Sequence, residues 1–335
     1  MLQELFRIPI FDMPVYGYGL MMVIGFLLAM ELAKFLARRS GLDPETFVNA
    51  GLIAILTGVI GSRLSHVFEN WSEFTASPSA WENLKHMANI RSGGLTFYGG
   101  LLFATPMCIL YGVYKKVPLR IGMDIIAPCV MVGLAFGRIG CFLNGCCYGA
   151  ECHVPWAVTF PYHSNAYVDQ WHAGEIDAPP DLVTVDDDGN RSLLDPKLAA
   201  RSPELKAQVA TSRSLAVHPA QLYSTFNALL IAAALVAFYT IPHVPGRVFA
   251  LMFILKGITR FLLEMLRVEP PVMHVGGWGL SFSMVISLLL IAAGIVLWYV
   301  FPTFGREWPV RGLESKANAT TTSKPAKPGT AAMAS

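Results

Sequence analysis

The sequence predicts an all-α membrane protein, a bundle of seven transmembrane helices with a small extracytoplasmic cap inserted between helices four and five. Three observations carry that prediction. Hydrophobic side chains make up 54% of the 335 residues and charged ones only 14%, whereas soluble domains carry about 25% charge. Mean hydropathy is +0.48, and the apolar residues fall in runs of about 20, the length that spans a bilayer as a helix. A single long polar stretch interrupts the series. A soluble enzyme is excluded. The formal net charge of +2 provides no electrostatic footprint for nucleic acid.

The apolar runs lie at roughly 15–36, 47–67, 94–114, 121–143, 218–241, 247–267 and 279–301. The first is expected to be a retained span rather than a signal peptide: Met1 to Pro14 contains Arg7 as its single basic residue, and the run is longer than a signal core. Basic residues are held on the cytoplasmic side during insertion. Lys34, Arg38 and Arg39 follow span one, Lys115, Lys116 and Arg120 follow span three, Arg247 follows span five, and Arg306, Arg311 and Lys316 follow span seven. The opposite ends carry fewer, with Arg7, Lys85, Arg91 and Arg267. The N-terminus is therefore expected outside and the C-terminus in the cytoplasm.

Residues 150–216 form the polar insertion, with Pro179-Pro180 and the turn-rich Asp186-Asp187-Asp188-Gly189-Asn190. The acidic run lacks the alternating ligands and closing Glu of a calcium loop, so it reads as a solvated hairpin turn. Residues 1–314 are expected to form the membrane domain, and 315–335, rich in Ala, Thr, Lys, Pro and Ser, a disordered cytoplasmic tail. There is no internal repeat.

An ionisable residue at the centre of a membrane helix costs about 2.5–3.5 kcal/mol on insertion scales, so each needs a reason. In span six, Lys256, Arg260, Glu264 and Arg267 are spaced four, four and three apart and share one helix face. An internal Arg260–Glu264 pair with snorkelling flanks accounts for part of this, yet a merely structural span would use Leu. Span four presents Gly133, Gly137 and Gly140 as a small-residue ridge for a neighbouring backbone. Packing explains the glycines but not Arg138.

Under the expected topology, Arg63, Arg138 with Asn144, and Arg260 with Glu264 lie toward the outer ends of spans two, four and six. Tyr18, Tyr98 and His218 lie at the outer starts of spans one, three and five. Arginines in excess of carboxylates at one depth imply an anionic ligand. The anion available in the outer half of a membrane is a lipid phosphate, which guanidinium binds in bidentate fashion.

The stretch Gly137-Arg138-Ile139-Gly140-Cys141-Phe142-Leu143-Asn144-Gly145-Cys146-Cys147-Tyr148-Gly149 resembles the signature G-R-x-G-N-F-x-N-x-E-x-x-G of the prolipoprotein diacylglyceryl transferases of bacterial cytoplasmic membranes. It matches at Gly137, Arg138, Gly140, Phe142, Asn144 and Gly149. Supporting matches are Tyr18-Gly19-Leu20-Met21, Gly61-Ser62-Arg63-Leu64, Gly94-Leu95-Thr96-Phe97-Tyr98-Gly99-Gly100, His218-Pro219-Ala220-Gln221-Leu222-Tyr223 and Arg260 to Arg267. The resemblance implies transfer of the diacylglyceryl group of phosphatidylglycerol to the lipobox cysteine thiol of preprolipoprotein signal peptides, at the outer face, with release of glycerol phosphate. It implies no metal and no organic cofactor.

Under that resemblance Arg138 and Arg260 are expected to stabilise the leaving phosphate, Glu264 to hold Arg260, and Asn144 to donate a hydrogen bond. Arg63, Arg267, Tyr18, Gly99, Gly100, Gly149 and His218 are expected to contact substrate. The family usually has Asn at Cys141, Glu at Cys146, His at Tyr98 and Tyr at Lys256. A phenol is almost wholly protonated at neutral pH and accepts protons poorly. Tyr98 is therefore expected to position substrate, with water or His218 taking the thiol proton.

Cys141, Cys146, Cys147 and Cys152 follow a C-x4-C-C-x4-C pattern that leaves several readings open. They are small residues packing at a helix end, disulfides with three possible connectivities, or a zinc or redox dithiol site. The last makes a membrane thiol oxidoreductase one rival function. A catalytically inactive lipid-binding paralogue is the other.

Overall fold

Lipid offers no hydrogen-bond partners, so apolar runs of this length must satisfy their backbone internally as helices. The computed structural model is accordingly mostly helical. It describes residues 4–8, 13–75, 79–89, 94, 96–185, 189–199, 201–266, 273–275 and 278–304. Among the described residues seven helices have 18 or more residues. They are α1 (Gly17–Arg39), α2 (Pro44–Glu69), α3 (Phe97–Tyr114), α4 (Leu119–Asn144), α5 (Ala220–Tyr239), α6 (Arg247–Glu264) and α7 (Phe282–Val300). Each coincides with one apolar run of the sequence. Five of them, α1, α2, α4, α5 and α7, are long and apolar enough to cross a membrane. The apolar part of α3 is shorter, and α6 carries Arg247, Lys256, Arg260 and Glu264 within 18 residues.

The chain divides into two compact units. The first comprises Met1–Leu32, Met123–Phe238 and Gly246–Phe304. Here Gly140 of α4 lies so close to α1 that an added Cβ would stand 3.3 Å from the Cα of Tyr18. Gly25 and Phe136 make a second tight approach between the same helices. The expected ridge is thus only partly used: a Cβ at Gly137 would make an ordinary 3.6 Å contact with Met22, and one at Gly133 would meet nothing within 4 Å.

Helices α6 and α7 pack through Gly257, whose missing Cβ would lie 2.8 Å from the Ser287 carbonyl oxygen, and Gly294, 2.9 Å from that of Ala250. Small residues here let two backbones approach, which is how apolar helices associate without a hydrophobic driving force. The start of α6 is fixed from α4. Gly246 adopts φ of 100°, and the buried Asp124 carboxylate accepts from the backbone amides of Gly246 at 2.6 Å and Phe249 at 2.9 Å. It thereby satisfies amides that a helix start leaves without partners.

The polar insertion of this unit is folded. It contains helix Asn165–His172, a one-turn helix Pro180–Leu182, and strands Val183–Val185 and Arg191–Leu193 paired antiparallel with Val183 opposite Leu193. Tyr162, Tyr167, Leu182 and Ala199 form its core. The Tyr162 hydroxyl donates to the carbonyls of Leu182 and Leu194, each at 3.0 Å. Asp186, Asp187 and Asp188 lie outside the described residues, as does the stretch 315–335.

The second unit comprises Ala33–Gly122 and Tyr239–Pro245, together with the undescribed Gly305–Ser335. Its helix α2 starts at Asp43, whose carboxylate accepts from Thr46 Oγ1 at 2.9 Å and the Glu45 amide at 3.1 Å. These bonds, the Thr46 hydroxyl first, hold the Asp43 carboxyl below the usual carboxylate range. Helices α2 and α3 meet at glycines: a Cβ on Gly61 would stand 2.7 Å from the Gly99 carbonyl oxygen, and one on Gly100 3.1 Å from that of Gly58.

Candidate active site

The closeness of α6 and α7 brings Ser281 and Ser283 beside the charged face of α6. Arg260 Nη2 lies 2.9 Å from Glu264 Oε2, with side-chain exposures of 21% and 1%. The same nitrogen donates to Ser283 Oγ at 2.8 Å, and Ser281 Oγ donates to Glu264 Oε1 at 3.1 Å. A carboxylate sealed from water survives only when paired and hydrogen-bonded, and Glu264 is both. Arg138 and Arg260 each act electrostatically on Lys256. Arg138, Lys256 and Arg260 are thus within electrostatic reach of one another, and Arg260 is paired with Glu264.

Arg138 and Asn144 sit on α4, six residues apart, and Cys141 lies midway between them. Tyr18 is within electrostatic reach of Arg138 and of Cys141, Cys146 and Cys147. Beyond α4 the chain turns at Gly145, with φ of 72°, and then crosses two other segments. The Gly149 amide donates to the His218 carbonyl at 2.9 Å, and the Ala150 amide to the Leu266 carbonyl at 3.0 Å. A Cβ on Gly149 would stand 2.7 Å from His218 Cβ and 3.1 Å from both carbonyl oxygens. The Gly149 expected to touch substrate therefore has a structural duty, holding the start of α5 against the end of α6. His218 Nδ1 is 3.3 Å from Tyr223 Oη, which accepts from Trp156 Nε1 at 2.6 Å.

In the second unit Arg63 is 7% exposed. Its guanidinium donates to the carbonyls of Met87 and His86 at 2.8 Å and of Gly94 at 3.1 Å, and lies 5.0 Å from the Phe74 ring centroid. It staples the segment between α2 and α3, a role the sequence reading did not anticipate. Gly99 and Gly100 form the crossing with α2, where a Cβ on Gly99 would collide with Ser65 Oγ. Tyr98, one residue earlier, is 63% exposed. Arg267 lies outside the described residues.

The six cysteines, all among the described residues, are thiols rather than disulfides. The Sγ atoms of Cys141, Cys146 and Cys147 lie within 4.8 Å of one another. Cys152 is buried, is not part of that group, and is bonded through its backbone amide to the Ala216 carbonyl. Two residues were not singled out from sequence. Asp124 caps α6 from another helix, and Gln221, fully buried, donates from Nε2 to the Cys146 carbonyl at 2.7 Å. A carboxylate within an apolar run was a signal for the first. The quoted His218–Tyr223 match contained the second.

A helical membrane protein with basic residues of two helices, Arg138 of α4 and Lys256 and Arg260 of α6, within electrostatic reach of one another is the class that fold and site define. Residues 3–300 match the family model described as prolipoprotein diacylglyceryl transferase, and the chain belongs to that family. By membership it is a transferase. The chain is 27% identical over 292 residues to the phosphatidylglycerol–prolipoprotein diacylglyceryl transferase of Clostridium tetani, covering 87% of this chain and 95% of that one. It is 28% identical over 300 residues to the protein of the same name from Corynebacterium glutamicum, covering 88% and 82%. The relative of that name from Rhodopirellula baltica is 36% identical over 164 residues, which cover 48% of this chain but only 33% of the relative.

Proposed function

We propose that this chain transfers the diacylglyceryl group of phosphatidylglycerol to the lipobox cysteine of preprolipoproteins. The observation that carries the reading is the Arg260–Glu264 pair with Arg138 and Lys256 nearby. In the reaction the substrate thiolate attacks the glycerol carbon that bears the phosphate ester. A C–S bond forms, the C–O bond breaks, and its electron pair stays on the oxygen of departing glycerol phosphate. Preorganised guanidinium groups of Arg138 and Arg260 meet that growing charge in a water-poor site. Glu264 fixes the Arg260 rotamer, and Asn144 donates to the bound headgroup.

The reading includes seven spans in the bacterial cytoplasmic membrane, with residues 150–216 and the N-terminus outside and the C-terminus inside. The alternation of basic loops supports it. Labelling of single cysteines from outside, on a cysteine-free background, should reach the 150–216 insertion and not position 316. Tail labelling from outside would overturn the orientation.

Purified protein, phosphatidylglycerol and a lipobox peptide should give a peptide whose mass has risen by one diacylglyceryl group. The product should be absent with phosphatidylcholine or with a peptide carrying serine for cysteine. No mass gain from well-folded protein would overturn the function.

A further inference from the structure

The thiols of Cys141, Cys146 and Cys147 are brought together from a helix end and the turn that follows it. The Gly145 turn reverses the chain, the Cys146 amide returns to the Cys141 carbonyl at 3.1 Å, and Cys147 adopts φ of 61°. A left-handed conformation is uncommon for a residue with a side chain, and here the surroundings hold it. Gln221 pins the Cys146 carbonyl at 2.7 Å, and the Ala166 amide donates to the Gly145 carbonyl at 3.3 Å. The result is a triangle of sulfurs with every edge within 4.8 Å. A metal ion bound at Zn–S distances of about 2.3 Å needs sulfurs about 4 Å apart, a spacing compatible with three sulfurs within 4.8 Å of one another. All three residues are partly exposed rather than sealed in the interior, as a site that admits a fourth ligand requires.

Position gives that exposure a meaning. Cys141 is one helical turn from Arg138, and Cys141, Cys146 and Cys147 all act on Tyr18, as does Arg138. We propose that Cys141, Cys146 and Cys147 bind one zinc ion whose fourth position takes the thiol of the incoming lipobox cysteine, activating it for alkylation. This inference rests on the transferase reading. Zinc binding converts the three protein thiols to thiolates, with their protons released to solvent. The peptide thiol then coordinates, gives its proton to water and is held as a thiolate, because a coordinating thiol is deprotonated outright. Its sulfur attacks the glycerol carbon, the C–O electron pair leaves with glycerol phosphate, and the thioether, a poor zinc ligand, departs. No side chain need act as the proton acceptor, which suits a chain with Tyr98 where a histidine is usual.

The test uses the full chain in detergent under reductant, stripped with a chelator and titrated with Zn2+. One equivalent should bind per chain. Cys141→Ser and Cys147→Ser should each abolish stoichiometric binding, and Cys108→Ser should not. With Co2+ in place of Zn2+, thiolate-to-cobalt charge-transfer absorption should appear and should strengthen when the lipobox peptide is added, but not with its serine analogue. A free thiol is only a few per cent ionised at neutral pH. The stripped protein should therefore transfer more slowly by about tenfold or more at pH 7, recover as pH rises, and regain full rate with zinc. Absence of stoichiometric zinc, zinc retained by Cys141→Ser, a disulfide within the trio of the isolated protein, or a cobalt spectrum indifferent to the peptide would overturn the proposal. Full-rate transfer by stripped protein would sink the zinc role and leave the transferase standing. Peptide-responsive cobalt with no transfer to any peptide would keep the metal site and sink the transferase.

Discussion

Glu264 and Arg260 form a 2.9 Å ion pair one turn apart on α6, with the carboxylate sealed and the guanidinium partly open. The asymmetry assigns the roles: the carboxylate sets the rotamer, and the guanidinium is the charge a ligand meets. Glu264→Gln keeps the size and the capacity to accept from Ser281 Oγ but loses the ion pair. It is expected to reach the membrane at normal levels and to lower kcat by about tenfold to a hundredfold, with a smaller change in KM for phosphatidylglycerol. Unchanged kcat in a mass-gain assay would show that the pair serves insertion alone.

Arg138 has no carboxylate partner among the contacts described above, and its surroundings include Lys256. Loss of one guanidinium from the departing phosphate should cost about 3 kcal/mol, roughly a hundredfold in rate. Arg138→Lys should not restore it, because an ammonium cannot make the planar two-point contact. Near-full activity of Arg138→Lys at normal membrane levels would refute the assignment.

Gly149→Ala places a methyl group 2.7 Å from His218 Cβ and 3.1 Å from two backbone oxygens. Backbone cannot give as a flexible side chain can, and overpacking of this kind costs about 1–3 kcal/mol. The variant is expected to melt at lower temperature and to accumulate poorly. Gly133→Ala, which meets nothing within 4 Å, should be neutral in the same thermal unfolding measurement.

These cases show which parts of the molecule were legible in the sequence. Helix positions were, because bilayer thickness imposes a run length that any sequence must display. The Arg260–Glu264 pair was, since four-residue spacing fixes it within one helix. The stapling role of Arg63 was not legible, because its partners are backbone carbonyls 23 to 31 residues on, and a carbonyl leaves no mark in a sequence. Asp124 was visible as a carboxylate within an apolar run, but its capping role was not, because the amides it accepts from lie 122 and 125 residues away. The cysteine trio depended on the turn at Gly145 and the left-handed Cys147, which spacing alone does not encode.

Tyr162 gives the insertion an alkaline limit. Burial first, and then the neighbouring Tyr167, push its phenol up to about 12. Below about pH 10 both folded and unfolded forms are neutral, so its contribution to stability is fully present. As pH rises from about 10 toward 12 the unfolded state ionises first, and stability is lost. The 150–216 insertion should become more sensitive to protease over that window. Tyr162→Phe should remove that part of the pH dependence, while costing about 1 kcal/mol at neutral pH for its two carbonyl hydrogen bonds.

Tyr98, which the sequence resemblance sets where a histidine is expected, lies on the first turn of α3 with 63% of its surface exposed. A phenolic hydroxyl donates and accepts hydrogen bonds but is a far weaker base than an imidazole. Its expected part is positioning of phosphate or peptide through the hydroxyl, worth about 1–3 kcal/mol when the partner is charged. Tyr98→Phe should therefore be slowed by about tenfold to a hundredfold, and not abolished. Tyr98→His should be tolerated, because imidazole restores both a donor and the usual residue. If Tyr98→Phe bound phosphatidylglycerol normally yet gave no detectable transfer, the phenol would be an essential proton carrier. Activation of the thiol would then have to run through Tyr98 itself.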